Sequence, residues 1–129
     1  MAEVSPAGRT FTHAPAIGLC EYCGLPEPLA FVEHQIDHII AIMHGGSSEP
    51  DNLALSCTLC NRYKGSDIAS IDPETGGIEP LYNPRKQAWN RHFRFVSGGQ
   101  IIGISRAGRA TVRLLQLNRP DRLRERSEP

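Results

Sequence analysis

Residues 20–64 read CEYCGLPEPLAFVEHQIDHIIAIMHGGSSEPDNLALSCTLCNRYK, and this stretch decides the fold. It holds two C-x-x-C pairs that are separated by 33 residues. Four polar residues stand between these pairs or directly after them: Asp37, His38, Asn52 and Asn61. The thiols can hold a metal ion, and the carboxylate, imidazole and amides are groups that metal-dependent hydrolysis uses. One short segment is therefore predicted to carry both a structural and a catalytic metal.

The four cysteines are predicted to bind one structural zinc ion: Cys20, Cys23, Cys57 and Cys60. Each C-x-x-C turn places two sulfur atoms on the same side, and the second pair completes tetrahedral coordination. Such a site leaves no open position, so we expect it to stabilise the fold. The alternatives are four buried free cysteines or, in a secreted chain, two disulfides. The N-terminus lacks the apolar core of a signal peptide, which favours thiolates in a reducing compartment.

Length and composition suit one soluble domain with a modest core. The chain has 129 residues and no apolar run near the roughly 18–20 residues of a membrane span. We therefore expect a cytoplasmic protein without a membrane partner. Its net charge is zero, but residues 1–60 carry a net of −6, residues 61–119 carry +6 and residues 120–129 are balanced. A chain polarised in this way can present a basic face to nucleic acid, although surface arginines are also common without such a role.

The pattern of breakers and apolar residues predicts three segments: a flexible N-terminal arm at 1–16, a zinc-stabilised core at 17–70 and a C-terminal extension at 71–129 that packs on the core. Within the core, residues 30–40 are rich in Val, Ile and Phe and partly alternate, which predicts a strand. NLALSC predicts a second strand, and a helix is expected from about Thr58, a candidate N-cap. Gly65 is expected to end or kink that helix.

The extension is expected to begin with a turn-rich connector at 71–84, because three prolines and a Gly-Gly pair interrupt it. Residues 85–96 predict a short helix that leads into a strand, and QIIGIS predicts another short strand. RAGRATVRLLQLNRP predicts a helix that Asn118 and Pro120 stop. Trp89 and Phe93 are expected to pack in a core rather than to stack on bases.

The Asp-His pair offers two of the groups that phosphodiester hydrolysis needs, a base for water and a ligand for a cation. Neighbouring side chains on a strand point apart, so Asp37 is predicted to bind the cation while His38 polarises the water. Asn61 follows the last cysteine, and its amide oxygen is a candidate second ligand. Two oxygen ligands with open positions suit Mg²⁺ or Mn²⁺. Asn52 is expected to hydrogen-bond loop backbone and hold the His38 segment in shape.

This pattern resembles the HNH endonuclease family, the ββα-metal nucleases, on IDHIIA, DNLALSC and CTLCNRYK. The chain is an H-N-N variant of that pattern, because Asn61 stands where many members carry His. The resemblance implies an α+β fold with a small, zinc-stabilised, treble-clef-like ββα-metal core and a C-terminal strand and helix extension. It also implies that His38 is the general base and that Asp37 and Asn61 hold the catalytic Mg²⁺ or Mn²⁺, while Asn52 matches the second motif residue of the family.

Several other residues near the motif are candidates for lesser roles. His34 shares the predicted strand face with His38 and is the rival ligand, although such a histidine more often packs or hydrogen-bonds. His44, beside Gly-Gly, is a candidate for contacting substrate or supporting the loop. Arg62 and Lys64 follow Asn61 and are predicted to contact DNA phosphates, the alternative being that they are surface cations of the helix. Phosphate contacts carry little sequence information, so weak sequence specificity is expected.

The function expected from these residues and from the resemblance is metal-dependent hydrolysis of DNA, with RNA left open as a second substrate. Cleavage is expected to leave 5′-phosphate and 3′-hydroxyl ends, as the resemblance implies. The alternative is a zinc-stabilised nucleic-acid-binding or interaction module without catalysis. That alternative explains the thiols and the basic half of the chain, but it does not explain why Asp37, His38 and Asn61 occur together.

Overall fold

The computed structural model describes residues 18–127, so the predicted flexible arm at 1–16 lies outside the described residues. The chain divides after Ile68 into two compact units, which we call the core unit (18–68) and the C-terminal unit (69–127). The prediction that residues 71–129 pack on the core stays a prediction. No helix between residues 18 and 127 has both the length and the apolar character that a bilayer crossing needs.

The core unit contains a two-stranded antiparallel sheet followed by one helix. Strand β1 (Gln35–His38) pairs with β2 (Leu53–Ser56), so that His38 lies opposite Leu53. Every residue of β2 is buried, and its apolar side chains form the centre of this unit. Helix α1 (Thr58–Lys64) follows directly. The predicted α+β class and the strand–strand–helix order are therefore confirmed.

Two predictions for the core unit were wrong in detail. The strand predicted at 30–40 covers only Gln35–His38, because β2 offers a ladder of four residues and no more. Phe31 and Val32, whose apolar character suggested a longer strand, are exposed. The N-cap of α1 is Cys57 rather than Thr58, since the Cys57 sulfur accepts the hydrogen bond from the backbone N–H of Cys60.

The end of α1 is as predicted. Gly65 caps the helix, and its backbone N–H donates to the carbonyl of Asn61. Its φ of +54° lies in a region that side chains with a Cβ rarely adopt, so glycine suits this position. The helix therefore has seven residues, and both Asn61 and Lys64 lie in its last turn and a half.

The C-terminal unit begins with a hairpin where a connector was predicted. Strands β3 (Ala69–Ile71) and β4 (Ile78–Pro80) pair antiparallel. Pro73 and the Gly-Gly pair lie in the turn, and Pro80 ends β4. Buried Asp72 organises the turn, because its carboxylate accepts hydrogen bonds from the Glu74 backbone and the Thr75 hydroxyl. The connector prediction was therefore wrong. The two strands have only three residues each and turn residues flank them, so the sequence shows no clear strand pattern.

The rest of the C-terminal unit packs around a second hairpin and two helices. These elements are β5 (Phe93–Phe95), β6 (Ile101–Gly103), α2 (Arg106–Leu114) and α3 (Pro120–Ser127). Two 3-10 turns also lie in this unit, Trp89–Arg91 and Ser97–Gly99, and three lie in the described part of the core unit, Glu27–Leu29, Ile42–His44 and Pro50–Asn52. Phe93, Ile101 and Leu117 are among the buried apolar side chains of the C-terminal unit.

Helix α2 ends earlier than predicted. The sequence predicts a helix as far as Asn118, but the helix stops at Leu114, and Gln116 has a φ of +50°. Asn118 has another role, since its side-chain amide donates to the Ile101 carbonyl and accepts from the Ile101 N–H. Pro120, expected as a stop, begins α3, which fits its tolerance at the first position of a helix.

Candidate metal centre and active site

The four cysteine sulfurs of the core unit gather in one buried cluster. They all lie within 4.8 Å of one another, and the Cys23 and Cys57 sulfurs are 3.8 Å apart. Tetrahedral zinc with bonds of about 2.3 Å separates its sulfur ligands by about 3.8 Å. The donor set and the spacing therefore fit a four-thiolate site, and these residues could hold a metal ion such as zinc.

The backbone around each C-x-x-C pair supports the same reading. The Cys23 N–H donates to the Cys20 sulfur at 3.5 Å, and the Cys60 N–H donates to the Cys57 sulfur at 3.4 Å. Hydrogen bonds of this kind stabilise thiolate over thiol. Burial raises the pKa of the Cys20 and Cys60 thiols, so a bound cation is what would make four thiolates tolerable here.

Asp37 lies on the buried side of β1, where its carboxylate is 3% exposed. One oxygen accepts a 2.6 Å hydrogen bond from the Tyr22 hydroxyl. The Lys64 ammonium lies 3.2 Å from each of the two carboxylate oxygens. Burial raises the pKa of Asp37, and the Lys64 charge and the Tyr22 hydroxyl oppose that rise. Both oxygens of this carboxylate therefore already have hydrogen-bond or charge partners within the protein.

Lys64 does not lie where the sequence predicts it. Its side chain is 2% exposed, and its ammonium also donates to the carbonyls of His38 and Ile39, each at 3.1 Å. A lysine ammonium has three protons, and these three acceptors use them. This placement does not fit a phosphate contact, because no donor remains and the group is buried. The prediction is corrected to a buried partner of Asp37.

His38 lies at the end of β1 and is half-buried, with its side chain on the side of the strand opposite to Asp37. Its Nε2 atom lies 3.0 Å from the hydroxyl oxygen of Ser48, a residue of the loop between β1 and β2. Asp37 and His38 therefore face different surroundings, as the alternation of side chains on a strand requires. The imidazole is the more accessible member of the pair.

Asn52 holds the loop that faces His38. Its amide oxygen accepts from the Ile40 N–H at 2.9 Å, and its amide nitrogen donates to the carbonyls of Ile40 and Ser47 at 2.9 and 2.7 Å. These are contacts with loop backbone of the kind expected at this position. Gly46 allows the close approach, because a Cβ there would lie 1.7 Å from the Ile40 carbonyl oxygen.

Asn61 lies on the face of α1 that is turned toward β1. Its amide nitrogen donates to the side-chain oxygen of Gln35 at 2.5 Å, and the residue is half-buried. Gln35 and Asp37 share a face of β1, and Asn61 and Lys64, three residues apart, share a face of α1. Asp37 and Asn61 therefore lie along one strand–helix boundary. Each has its own partner, Lys64 for Asp37 and Gln35 for Asn61.

The remaining candidates have different surroundings. His34 is buried, and its Nε2 lies 2.7 Å from the carbonyl oxygen of Leu25, which follows the first cysteine pair in the chain. His44 is exposed at the end of the 3-10 turn in the loop. Arg62 is exposed on α1. Of the two cations after Asn61, Arg62 is the one that a phosphate can reach.

Sequence reasoning missed Tyr22, Gln35 and Ser48, which contact Asp37, Asn61 and His38 respectively. One signal was available for Lys64. Cys57, Cys60 and Lys64 are spaced by three and four residues, so helical periodicity places Lys64 on the face that the cysteines bury. No comparable pattern marks Ser48, because its contact depends on how the loop folds back.

The core unit thus defines a small α+β domain in which two strands and a helix carry polar groups beside a four-cysteine, metal-type cluster. The family model of the HNH endonuclease matches residues 20–67, so this segment is similar to that family. The matched segment contains the cysteine cluster, both strands and the helix. The match supports a nuclease-type function with nucleic acid as the general substrate class. Comparison with curated proteins and with solved structures gave no match.

Proposed function

We propose that the protein is a divalent-metal-dependent HNH endonuclease that hydrolyses DNA phosphodiester bonds with weak sequence specificity. The observation that carries this proposal is the position of His38 within the HNH-matched segment. It is a half-buried imidazole at a strand end, facing a loop that Asn52 holds. A general base needs this combination of access to water and fixed orientation. The cysteine cluster is proposed to hold Zn²⁺ in a cytoplasmic, reducing compartment.

In the proposed reaction, His38 takes a proton from the attacking water. The new bond forms between water oxygen and phosphorus, and the bond to the 3′ oxygen breaks. The leaving 3′ oxygen takes a proton from solvent water, and the ends are 5′-phosphate and 3′-hydroxyl. Asp37 and Asn61 would hold Mg²⁺ or Mn²⁺, which when bound neutralises charge on the phosphate and the leaving oxygen. Because the Lys64 ammonium lies against both Asp37 oxygens, cation binding there requires that Lys64 release the carboxylate. Lys64 can do so and keep its two backbone carbonyl acceptors.

The distribution of charge suggests where substrate is held. The core unit has seven acidic and two basic residues, a net of −5, whereas residues 69–127 have eleven basic and five acidic residues, a net of +6. An acidic domain gains little binding free energy from neutralising DNA phosphates. The C-terminal unit is therefore proposed to supply most contacts with the DNA backbone. Arg62 and His44, both exposed, are the proposed contacts from the core unit.

Cleavage assays test the proposal directly. The purified protein is incubated with supercoiled plasmid, single-stranded DNA or RNA, in Mg²⁺ or Mn²⁺, with and without chelator. We expect nicking of DNA that requires the added metal, and we expect His38→Ala to abolish it while zinc content and circular dichroism stay as in the wild type. Wild-type cleavage rates in purified His38→Ala would refute the assigned base.

A non-catalytic nucleic-acid-binding module is the second candidate, and one observation favours it. Both Asp37 oxygens already have protein partners, which is the arrangement expected of a structural carboxylate. This candidate predicts salt-dependent retention of DNA without nicking in any metal. It also predicts that His38→Ala leaves DNA affinity and all other measured behaviour unchanged.

A further inference from the structure

Two buried side chains connect the cysteine cluster to the Asp-His pair. Tyr22 stands between Cys20 and Cys23, is fully buried and donates to Asp37 at 2.6 Å. Lys64 stands four residues after Cys60, and its ammonium also reaches Asp37. One connection therefore comes from each cysteine pair. Both end on the same carboxylate, which directly precedes His38 in the chain.

The Lys64 ammonium contacts two backbone carbonyls as well as the Asp37 carboxylate. Strand β1 ends at His38, so the carbonyls of His38 and Ile39 need hydrogen-bond donors outside the ladder. The Lys64 ammonium satisfies the carbonyls of His38 and Ile39 at 3.1 Å each. On the other side of the backbone, the Ile39 N–H donates to the Asn52 carbonyl and the Ile40 N–H donates to the Asn52 side chain. The strand end is thus fixed from α1 and from the loop.

We propose that Tyr22 and Lys64 are positioning residues, which fix the strand end at Asp37–Ile39 relative to the cysteine cluster and thereby set the position of the His38 imidazole. The role in catalysis rests on the proposed nuclease function. Neither residue touches substrate in this proposal. Metal at the cysteines then acts on cleavage through these contacts, although it has no part in the chemistry.

A phosphate-binding role for Lys64 makes opposite predictions. A phosphate contact survives replacement by Arg, which binds phosphate well, and its loss weakens DNA binding and lowers the salt dependence. The pocket around Lys64 has three acceptors arranged for a compact ammonium, which a planar guanidinium does not match. Lys64→Arg therefore separates the two roles. Arginine should keep activity if Lys64 binds phosphate, and it should not keep activity if Lys64 is a positioning residue.

The experiment uses Tyr22→Phe, Lys64→Met and Lys64→Arg in the full-length, zinc-loaded protein. Tyr82→Phe is the matched control, because it removes a buried tyrosine hydroxyl from the C-terminal unit. Plasmid cleavage gives kcat and KM. Amide hydrogen exchange at Ile39 and Ile40 and the imidazole NMR signal of His38 report the strand end without any need for activity.

We expect kcat to fall by about 10- to 100-fold in all three variants, with KM and the salt dependence of DNA binding unchanged, as is typical when a supporting partner is lost. Exchange at Ile39 and Ile40 should speed up, and the His38 signal should shift or broaden. The control should match the wild type. Tyr22→Phe keeps its ring and removes a single hydroxyl, so it remains informative if Lys64→Met does not fold.

Three results would overturn the positioning role: full activity in Tyr22→Phe, rescue by Lys64→Arg, or exchange and imidazole signals identical to those of the wild type. If the wild type cleaves nothing, the proposed function fails, whereas the exchange and NMR measurements still decide whether Tyr22 and Lys64 fix the strand end. Failure of the two proposals is therefore distinguishable.

Discussion

The two units of the chain have different interiors. The core unit has two short strands and one seven-residue helix, and its buried groups include four cysteines and the charged pair Asp37–Lys64. The C-terminal unit has two hairpins and two helices around apolar side chains such as Phe93 and Leu117. Small domains with little apolar core usually need metal or disulfides, so the comparison suggests that the core unit depends on its ligand and the C-terminal unit on packing.

Removing the metal should have the largest effect and should separate the units. Structural zinc contributes apparent binding energies of about 10–16 kcal/mol in small zinc peptides, which exceeds the stability of a typical domain. We therefore expect a chelator to unfold the core unit, seen as loss of amide protection in β1 and β2. Trp89, the single tryptophan, packs on Phe93 and Phe95 in the C-terminal unit, and its fluorescence should not change.

The double variant Cys57→Ser, Cys60→Ser removes two of the proposed metal ligands. It should unfold the core unit as the chelator does, with no chelator present. Metal content should fall in parallel. If Trp89 fluorescence and β2 protection are lost together, the two units do not differ as described. If neither changes, the cysteines are not a structural metal site.

Lys64→Met should be the most damaging single substitution among those considered for the core unit. It leaves the Asp37 carboxylate buried without its counter-charge, and breaking a buried pair in this way costs about 3–5 kcal/mol. Chemical denaturation, followed by circular dichroism, measures the loss. Adding Asp37→Asn should recover part of it, because the second change removes the unpaired charge. A double variant less stable than Lys64→Met would contradict the pairing.

Gly46→Ala tests the loop at the base of the site. A Cβ at Gly46 would meet the Ile40 carbonyl oxygen at 1.7 Å, so the loop must move, at a cost of about 1–3 kcal/mol. Gly77→Ala is the matched control in the C-terminal unit, because its nearest neighbours lie at 3.4 Å. We expect the His38 imidazole signal to change in Gly46→Ala and not in the control. An unchanged signal in both variants would show that the loop tolerates the methyl group.

Asp72→Asn should have the smallest effect. It should change how the stability of the C-terminal unit depends on pH. The Arg109 guanidinium, which makes two hydrogen bonds to Asp72, holds the pKa of that carboxyl well below its usual range. The unfolded chain binds a proton at Asp72 near pH 4, before the folded chain does, so this stabilisation is present above about pH 4 and is lost as the pH falls further.

Thermal unfolding followed by Trp89 fluorescence, between about pH 7 and about pH 2, measures this dependence. The wild type should lose stability on acidification below about pH 4, whereas Asp72→Asn should start lower and depend less on pH. Glu74→Gln is the control, because Glu74 also lies near Arg109 at 3.3 Å but is 70% exposed. An identical acid response in Asp72→Asn would exclude the Asp72–Arg109 pair as its source.

Local signals in the sequence predicted β2, the start of α1 near Thr58 and its end at Gly65, because each depends on residues close in the chain. The cysteine cluster joins distant residues, but the repeated C-x-x-C spacing predicted it. Two kinds of feature were hidden. The β3–β4 hairpin lies in a stretch where turn residues outnumber strand formers, and its turn depends on Arg109, 37 residues away. The burial of Lys64 reverses the usual preference of lysine for solvent, and it depends on the Asp37 carboxylate on the buried side of β1.

The same limits applied to the candidate site. Spacing alone indicated that Asp37 and His38 face opposite sides of a strand, and the structure shows what each side contains. Spacing could not indicate that Tyr22 and Lys64 hydrogen-bond to the Asp37 carboxylate, because these residues are 15 and 27 positions away from Asp37 in the chain. The metal and DNA roles of Asp37, Asn61, His44 and Arg62 stay predictions.

The clamp made by Asn52 has a consequence for how this domain can vary. Asn52 ties Ile40 to Ser47 at the neck of the loop, while Met43 at the tip is 74% exposed. Residues added or exchanged beyond the neck would not alter the pairing of β1 with β2, and lengthening a closed loop costs little entropy. The tip is therefore the natural place to graft new recognition elements onto this scaffold without disturbing the strand pair.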